Sequence, residues 1–299
     1  MNLRIVISLL CLSLWASGTR AQQEWLYTQF TMNLFDCNAA YAGQHETPSF
    51  AMRHRQQWTG IDGRPISTMV SGHLPVLKNK MGAGVRLLDE RIGARQYTLA
   101  SAALAYRLRL RHSTLNLALT MGASRIGVDW SKLNVLDTDD PQIALWPNAR
   151  WAPFIGAAAF YARKNAYVGV EALQLNGANY QESDFVQRIQ LKSVVGFHQK
   201  VRTDDQLQMA LLGRWSSGGI WQAEGNITYL KNNRVGLGVG YRMQFGAMIL
   251  AQLHFTSQLR MGLSYDFSTQ STQQLDDRSF ELFCGYTMQG AKTKSVRYL

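Results

Sequence analysis

Apolar and polar residues alternate with period two along most of this chain. In NRVGLGVGYRMQ (233–244), Val235, Leu237, Val239, Tyr241 and Met243 share one face, while Arg234, Gly236, Gly238, Gly240, Arg242 and Gln244 share the other. Residues 220–230, 259–268 and 115–122 repeat the arrangement. Successive side chains of a strand point to opposite sides, so the pattern predicts strands with one apolar face and one polar or small face.

About fourteen such segments begin near residues 48, 66, 80, 95, 113, 151, 165, 187, 205, 219, 233, 245, 257 and 279. Their length is close to the ~9–11 residues of a tilted membrane strand. The prediction is an all-β fold: a transmembrane outer-membrane β-barrel of about 14 antiparallel strands over residues 48–290. A short non-strand segment, 22–47, precedes it, and a basic tail, 291–299, follows.

A soluble β-sandwich alternates too, so the connections discriminate. With the N-terminus periplasmic, the long connections near 129–150, 176–187 and 268–278 fall outside. The connections near 77–80, 111–113, 163–165, 201–206, 231–234 and 256–258 are short and fall at the periplasmic end, as in outer-membrane barrels. Charge sorts with them. The short turns carry Lys78, Lys80, Arg109, Arg111, Arg163, Lys164, Arg202, Lys231 and Arg234 against only Asp204 and Asp205. The long loops hold Asp129, Asp137, Asp139, Asp140, Glu182, Asp184, Asp276 and Asp277. Trp58, Trp130, Trp146, Trp151, Trp215 and Trp221 fall near the outer strand ends, where amphipathic rings sit among headgroups.

The first 21 residues set the compartment. Arg4, an apolar run from Ile5 to Ala16 and a small, polar stretch ending at Ala21 form a secretory signal peptide, with cleavage expected near Ala21. No later apolar run approaches the ~18 residues of a membrane helix. Removal of Arg4 and Arg20 leaves 29 basic residues of 31 against 20 acidic, about +9. A secreted chain meets little nucleic acid, and the basic residues do not cluster in one arm, so no nucleic-acid partner is expected. Outer-membrane lipids are.

Cys37 and Cys284 form one disulfide or remain two separate thiols; two cysteines are too few for a framework. The six histidines are scattered without metal-ligand spacing, the glycine runs have the strand period with no following helix, and no nucleophile elbow is present. Hence no catalytic, metal or cofactor site is predicted. Arg53, Arg55, Arg86, Arg107, Arg109, Glu171, Lys192, Glu224, Arg242 and Arg260 lie on polar faces, where they pair inside a closed lumen or line an anion pore.

The leader 22–47 does not alternate. Its aromatics, Trp25, Tyr27, Phe30, Phe35 and Tyr41, argue against full disorder, and it folds into the lumen, caps the periplasmic mouth or stays a flexible leader.

The stretches YTQFTMN (27–33), NAAYAG (38–43), RQQWTGIDGRPIST (55–68), KNKMGAGVRLLDERIG (78–93), Asp140-Pro141, AYVGVEALQL (166–175) and SFELFCGY (279–286) together resemble the PorP/SprF family. These are outer-membrane barrel proteins of the Bacteroidetes type IX secretion system. Trp58, Gly60, Gly63, Pro65, Gly82, Gly84, Asp89 and Gly93 carry the resemblance, while Leu34 and Ala39 stand where the family usually has proline.

The resemblance implies secretion, gliding motility or display of surface cargo, without enzymatic activity. It also implies periplasmic ring or peptidoglycan-associated partners, or a secreted cargo recognised through its C-terminal sorting domain. Within that frame the candidate partner-binding residues are Asn33, Asn38 and Tyr41 in the leader and Lys78, Lys80, Arg163 and Lys164 in the turns. The rival expectation is a channel or transporter for small or hydrophobic solutes. RHRQQWTGIDGRP (53–65) reads as the first outer hairpin, with Arg53, Arg55 and Gln57 inward and Asp62-Gly63 in its tight turn.

Overall fold

The computed structural model describes residues 27–45, 47–133, 149–179, 186–187, 189–217, 219, 221–268 and 278–288. The signal peptide, Trp25, Trp146, the acidic residues at 137, 139, 140, 182, 184, 276 and 277, Asp140-Pro141 and the basic tail lie outside them.

The strands are β1 (Ser49–Gln56), β2 (Ile66–Val76), β3 (Met81–Ile92), β4 (Arg95–Arg109), β5 (Thr114–Val128), β6 (Arg150–Arg163) and β7 (Ala166–Leu173). A two-stranded ribbon, β8 (Ala178–Asn179) and β9 (Val186–Gln187), stands apart from the wall. Then follow β10 (Gln190–Lys200), β11 (Gln206–Ser216), β12 (Trp221–Lys231), β13 (Val235–Arg242), β14 (Gly246–His254), β15 (Leu259–Ser268) and β16 (Ser279–Thr287).

All except β8 and β9 join antiparallel into one closed barrel of 14 strands. Closure runs through β1 and β16, from Ser49↔Thr287 to Gln56↔Phe280, so neither edge is left unpaired. The expected starts agree with the observed ones to within a few residues, including β3 and β6, where the alternation is blurred.

Side chains sort as the period requires. In β13, Val235, Leu237, Val239 and Tyr241 face outward and are exposed, whereas Gly236 and Arg242 are buried in the lumen. Leu119, Leu211 and Leu263 are likewise exposed on the outer wall. An apolar exterior around a polar interior is the inverse of a soluble core, and bilayer hydrocarbon is the medium that stabilises it.

The two ends differ. At one, β1 runs into the hairpin 57–65 and β5, β7 and β15 end, together with Trp58, Trp130, Trp151, Trp215 and Trp221. The other carries the tight turns 77–80, 110–113, 164–165, 201–205, 232–234 and 255–258. Leu77, Lys78, Asn79, Lys164, Asn232 and Asn233 adopt positive φ in those turns, which lets the hairpins reverse in so few residues.

Cys37 is buried in the lumen and Cys284 lies on β16, and both are free thiols, so they form no disulfide. Burial raises the Cys37 thiol to about 11, partly opposed by Arg53.

Candidate functional site

Among the described residues, buried polar chemistry concentrates in the lumen, and the leader fills part of it. Residues 27–45 run inside the barrel as three short 3-10 turns, Phe30–Met32, Leu34–Asp36 and Ala39–Tyr41. Tyr27 packs with Met69, Leu88, Tyr97, Leu99, Phe154 and Leu173 toward the long-loop end. From there the segment descends to Gly43, which lies against Pro75 and Gly82 near the short-turn end.

Asparagines start two of the turns. The Asn38 side chain accepts from the Ala40 N–H, and Asn33 and Asn38 both have extended backbone before a helical residue. Leu34 and Ala39 are therefore the first helical positions, where proline's fixed φ suits a helix start, although a proline at 39 would remove the N–H that donates to Glu171. Asn38 alone of the two caps through its side chain, Asn33 instead donating to Asp36 and Ser71, and both turns form with Leu and Ala in the following positions.

The wall holds this segment at both ends. The Thr28 and Gln29 N–H groups donate to Glu281 at 2.6 and 2.9 Å. Asn226 donates to the Thr28 carbonyl at 2.7 Å, and Gln29 Nε2 to the Leu263 carbonyl at 2.7 Å. Lower down, Ala39 N–H donates to Glu171, Asn116 donates to the Ala40 carbonyl, and Asn38 Nδ2 donates to the carbonyls of Ala159 and Val170. Arg107 donates to the Gly43 carbonyl.

Ion pairs knit the same interior. Arg53 meets Asp36 of the segment at 2.8 Å, with its guanidinium 5.2 Å from the Tyr27 ring and 5.1 Å from the Phe283 ring. Arg86 reaches across the lumen to Glu171 at 2.8 Å. Arg242 pairs with Glu224 at 2.6 Å and Asp266 at 3.1 Å; Arg55 also meets Asp266, at 2.6 Å, and Arg214 meets Glu224 at 2.8 Å. Thr28 Oγ1 donates to Asp266, so the chain's lumen segment belongs to the network. Removing one partner from so buried a network leaves an uncompensated charge, which is why the arrangement is cooperative.

Of the inward charges expected from the sequence, Arg53, Arg55, Arg86, Glu171, Lys192, Glu224, Arg242 and Arg260 are buried. Arg107 is half-buried, and Arg109 is exposed in the short-turn end, because β4 extends there beyond the filled lumen. Asp36, Asp266 and Glu281 complete the network, and the pairing is not confined to neighbouring strands.

The leader candidates Asn33, Asn38 and Tyr41 are 8, 1 and 4% exposed. In this state they offer no surface to a partner, because their polar atoms face the wall and the segment itself. Burial raises the Tyr41 hydroxyl to about 12. Lys78, Lys80, Arg163 and Lys164 are exposed, and none is ion-paired among the described residues.

The motif residues have distinct places. Gly82 and Gly84 on β3 are the seats of the lumen segment: a β-carbon on Gly84 would lie 2.4 Å from the Phe35 ring. Gly63 (φ 72°) and Gly93 (φ 58°) stitch two turns at the long-loop end, the Gly93 N–H donating to the Gly63 carbonyl at 2.8 Å. Pro65 is buried and accepts from the Gln57 N–H at 2.9 Å, while Gly60 is exposed. Trp58 is half-exposed, and its N–H donates to Ser279. Asp89 faces outward, accepting from Thr98 and Arg91. It continues a row in which His54 pairs with Thr68, and Thr68 with Asp89, across β1, β2 and β3.

No group of three or more metal-ligating side chains occurs among the described residues. A model of the type IX secretion system membrane protein PorP/SprF family matches residues 19–286. The chain belongs to the PorP/SprF family. Its place is therefore the outer membrane, as a component of type IX secretion. Comparison with curated proteins gave no match.

Solved structures similar to this PorP/SprF protein include the outer membrane protein Omp33 of Acinetobacter baumannii, with 7% identity and a TM-score of 0.50, covering 82% of this chain and 100% of that one. The toluene transporter TodX of P. putida has 11% identity and a TM-score of 0.49, covering 84% and 92%. Outer membrane phospholipase A of Escherichia coli has 12% identity and a TM-score of 0.39, covering 82% and 92%. At such identities the likeness concerns the barrel fold. Outer-membrane barrels generally place their tight turns on the periplasmic side, and the short-turn end is assigned to that side on this rule.

Proposed function

We propose that this PorP/SprF protein is a non-enzymatic, closed outer-membrane adaptor. It supports type IX secretion, cargo attachment or gliding by presenting a basic periplasmic rim to an acidic partner, a ring or peptidoglycan-associated protein or a cargo sorting domain. The observation that carries the reading is the lumen segment: residues 27–45 are bonded to the wall from Glu281 to Arg107. A barrel so filled is built to be a rigid body, and its remaining chemistry is at its ends.

At the periplasmic end the exposed Lys78, Lys80, Arg163 and Lys164 stand beside Arg109 and Arg111 with little opposing charge. Like-signed surface charge steers an oppositely charged partner and raises its association rate. Reversing Lys78, Lys80, Arg163 and Lys164 to Glu is expected to abolish pull-down of the periplasmic components while the barrel still assembles. Undiminished capture would remove the rim from the account.

A further inference from the structure

The outward, membrane-facing side of the wall is not uniform. On β6, β7 and β11 to β16 the outward positions hold apolar, aromatic or small residues, save Arg163 and Lys231 at the short-turn ends. Away from those ends, the outward charges among the described strand residues are Asp89, Arg91 and Arg125, all on β3 and β5. Thr98 of β4 stands between Asp89 and Arg125, paired in register with both. We propose that this face of β3–β5 binds a second copy of the chain, side by side in the outer membrane, about a two-fold axis beside Thr98. The inference stands apart from the adaptor reading, because it concerns the membrane-facing wall and not the rim or the lumen.

Depth makes the carboxylate costly to leave against lipid. Trp151, near the long-loop end of β6, is the register partner of Arg125. From there the row passes Thr98, Asp89, Thr68 and His54 and reaches Tyr229, near the short-turn end of β12. The row therefore descends, by ~3 Å per strand at the usual strand spacing and tilt. Arg125 lies at the level of the aromatic girdle, and Asp89, two strands on, lies ~6 Å deeper, toward the hydrocarbon. Asp89 accepts from Arg91 and Thr98, each at 3.2 Å, yet its side chain remains 47% exposed. Arg125 has no hydrogen bond or ion pair among the described residues. Lipid tails offer Asp89 no further donor, whereas a cation from a second wall does.

The arrangement of sign makes the occupant a copy of the same chain. Copies insert the same way up, so two of them are related by rotation about the membrane normal. With the axis beside Thr98, β3 of one copy faces β5 of the other. Asp89 then meets Arg125 of the second copy, the pair forms twice, and the long Arg125 side chain spans the difference in depth. Shape agrees with charge. Below Thr98, Ala100 and Ala102 of β4 lie in register between Leu87 and Val85 of β3 and Ala123 and Met121 of β5. The small residues make a shallow trough along β4 where two walls approach closely, and the exposed Val85, Leu87 and Met121 flank it and pack across the contact.

The test uses the full mature chain carrying Cys284→Ser, since that thiol also lies on the outer wall. Heat-modifiable electrophoretic mobility checks that each variant is folded. In outer membranes under mild oxidation, Thr98→Cys is expected to give a disulfide-linked dimer, and Leu237→Cys, on the far wall, is not. In detergent, Asp89→Arg and Arg125→Asp are each expected to weaken dimer formation at least about tenfold, and the two together to restore it. Restoration separates the contact between copies from the pairing of Asp89 with Arg91 within one copy. Absence of a Thr98→Cys dimer, equal cross-linking of Leu237→Cys, or a double reversal no better than the single ones overturns the proposal. So does a wild-type protein that stays monomeric and retains added phosphatidylglycerol in native mass spectra, with the retention lost in Arg125→Gln. The occupant would then be a lipid.

Discussion

A β-carbon placed on Gly82 would lie 2.0 Å from the carbonyl oxygen of Ala42. No side chain can occupy that space unless the lumen segment withdraws, so the wall and the segment are fitted to each other at this point. Gly82→Val is expected to leave the barrel closed but to lift residues 39–43 from β3, at a cost of about 1–3 kcal/mol. Limited proteolysis in detergent checks it. Cleavage within 27–45 in the variant but not in the parent is the expected result, and equal resistance would show that the close approach is dispensable.

Arg242 stands between two buried carboxylates, Glu224 at 2.6 Å and Asp266 at 3.1 Å. Replacing it with Met leaves both with one fewer cation in a site closed to water. The expected loss of stability is about 3–5 kcal/mol, read from urea unfolding followed by tryptophan fluorescence. A loss below about 1 kcal/mol would place the pair with exposed salt bridges.

His45 lies in the lumen segment beside His73, with Tyr41 hydroxyl 3.5 Å from its Nε2. Burial, then His73, Arg260 and Arg107, hold its imidazole well below the ordinary value. The docked segment therefore binds fewer protons than a released one, and docking is strongest above the unperturbed value of about 6.5. As pH falls below that value docking weakens, and the loss continues until the depressed value is passed. Protease resistance of residues 27–45 is expected to decline between pH 7.5 and 5 in the parent and to change less in His45→Gln. An identical pH profile in the variant would assign the effect elsewhere.

The barrel was legible in the chain because one physical rule, side chains alternating across a wall with lipid outside, writes the same period into every strand. The segment 220–230 shows it: Ile227 and Tyr229 are exposed on the outer wall, and Glu224, Asn226 and Thr228 are buried in the lumen. Strand ends blurred in the sequence, as at β6, became definite through the register with β5 from Thr114↔Ala162 to Ile126↔Arg150.

The leader was less legible, because 3-10 turns of three residues leave no period to read and several of their partners are more than a hundred residues away. Asn38 meets Ala159 and Val170, and Thr28 meets Asp266 and Glu281. Composition alone could place the aromatics of 27–41 against something, but not choose between lumen and mouth. The motif around Gly82 and Gly84 carried the missing signal: two glycines in a strand mark a close backbone approach, and the approaching chain is the leader itself.

Ion conductance across planar bilayers tests the closed-adaptor account most directly. The refolded full-length protein is expected to insert without opening stable pores, while Gly82→Val, with its lumen segment displaced, is expected to give stepwise openings. Large, steady conductance of the full-length protein with residues 27–45 protected from protease would contradict the account, since ions would then pass a lumen it holds to be filled.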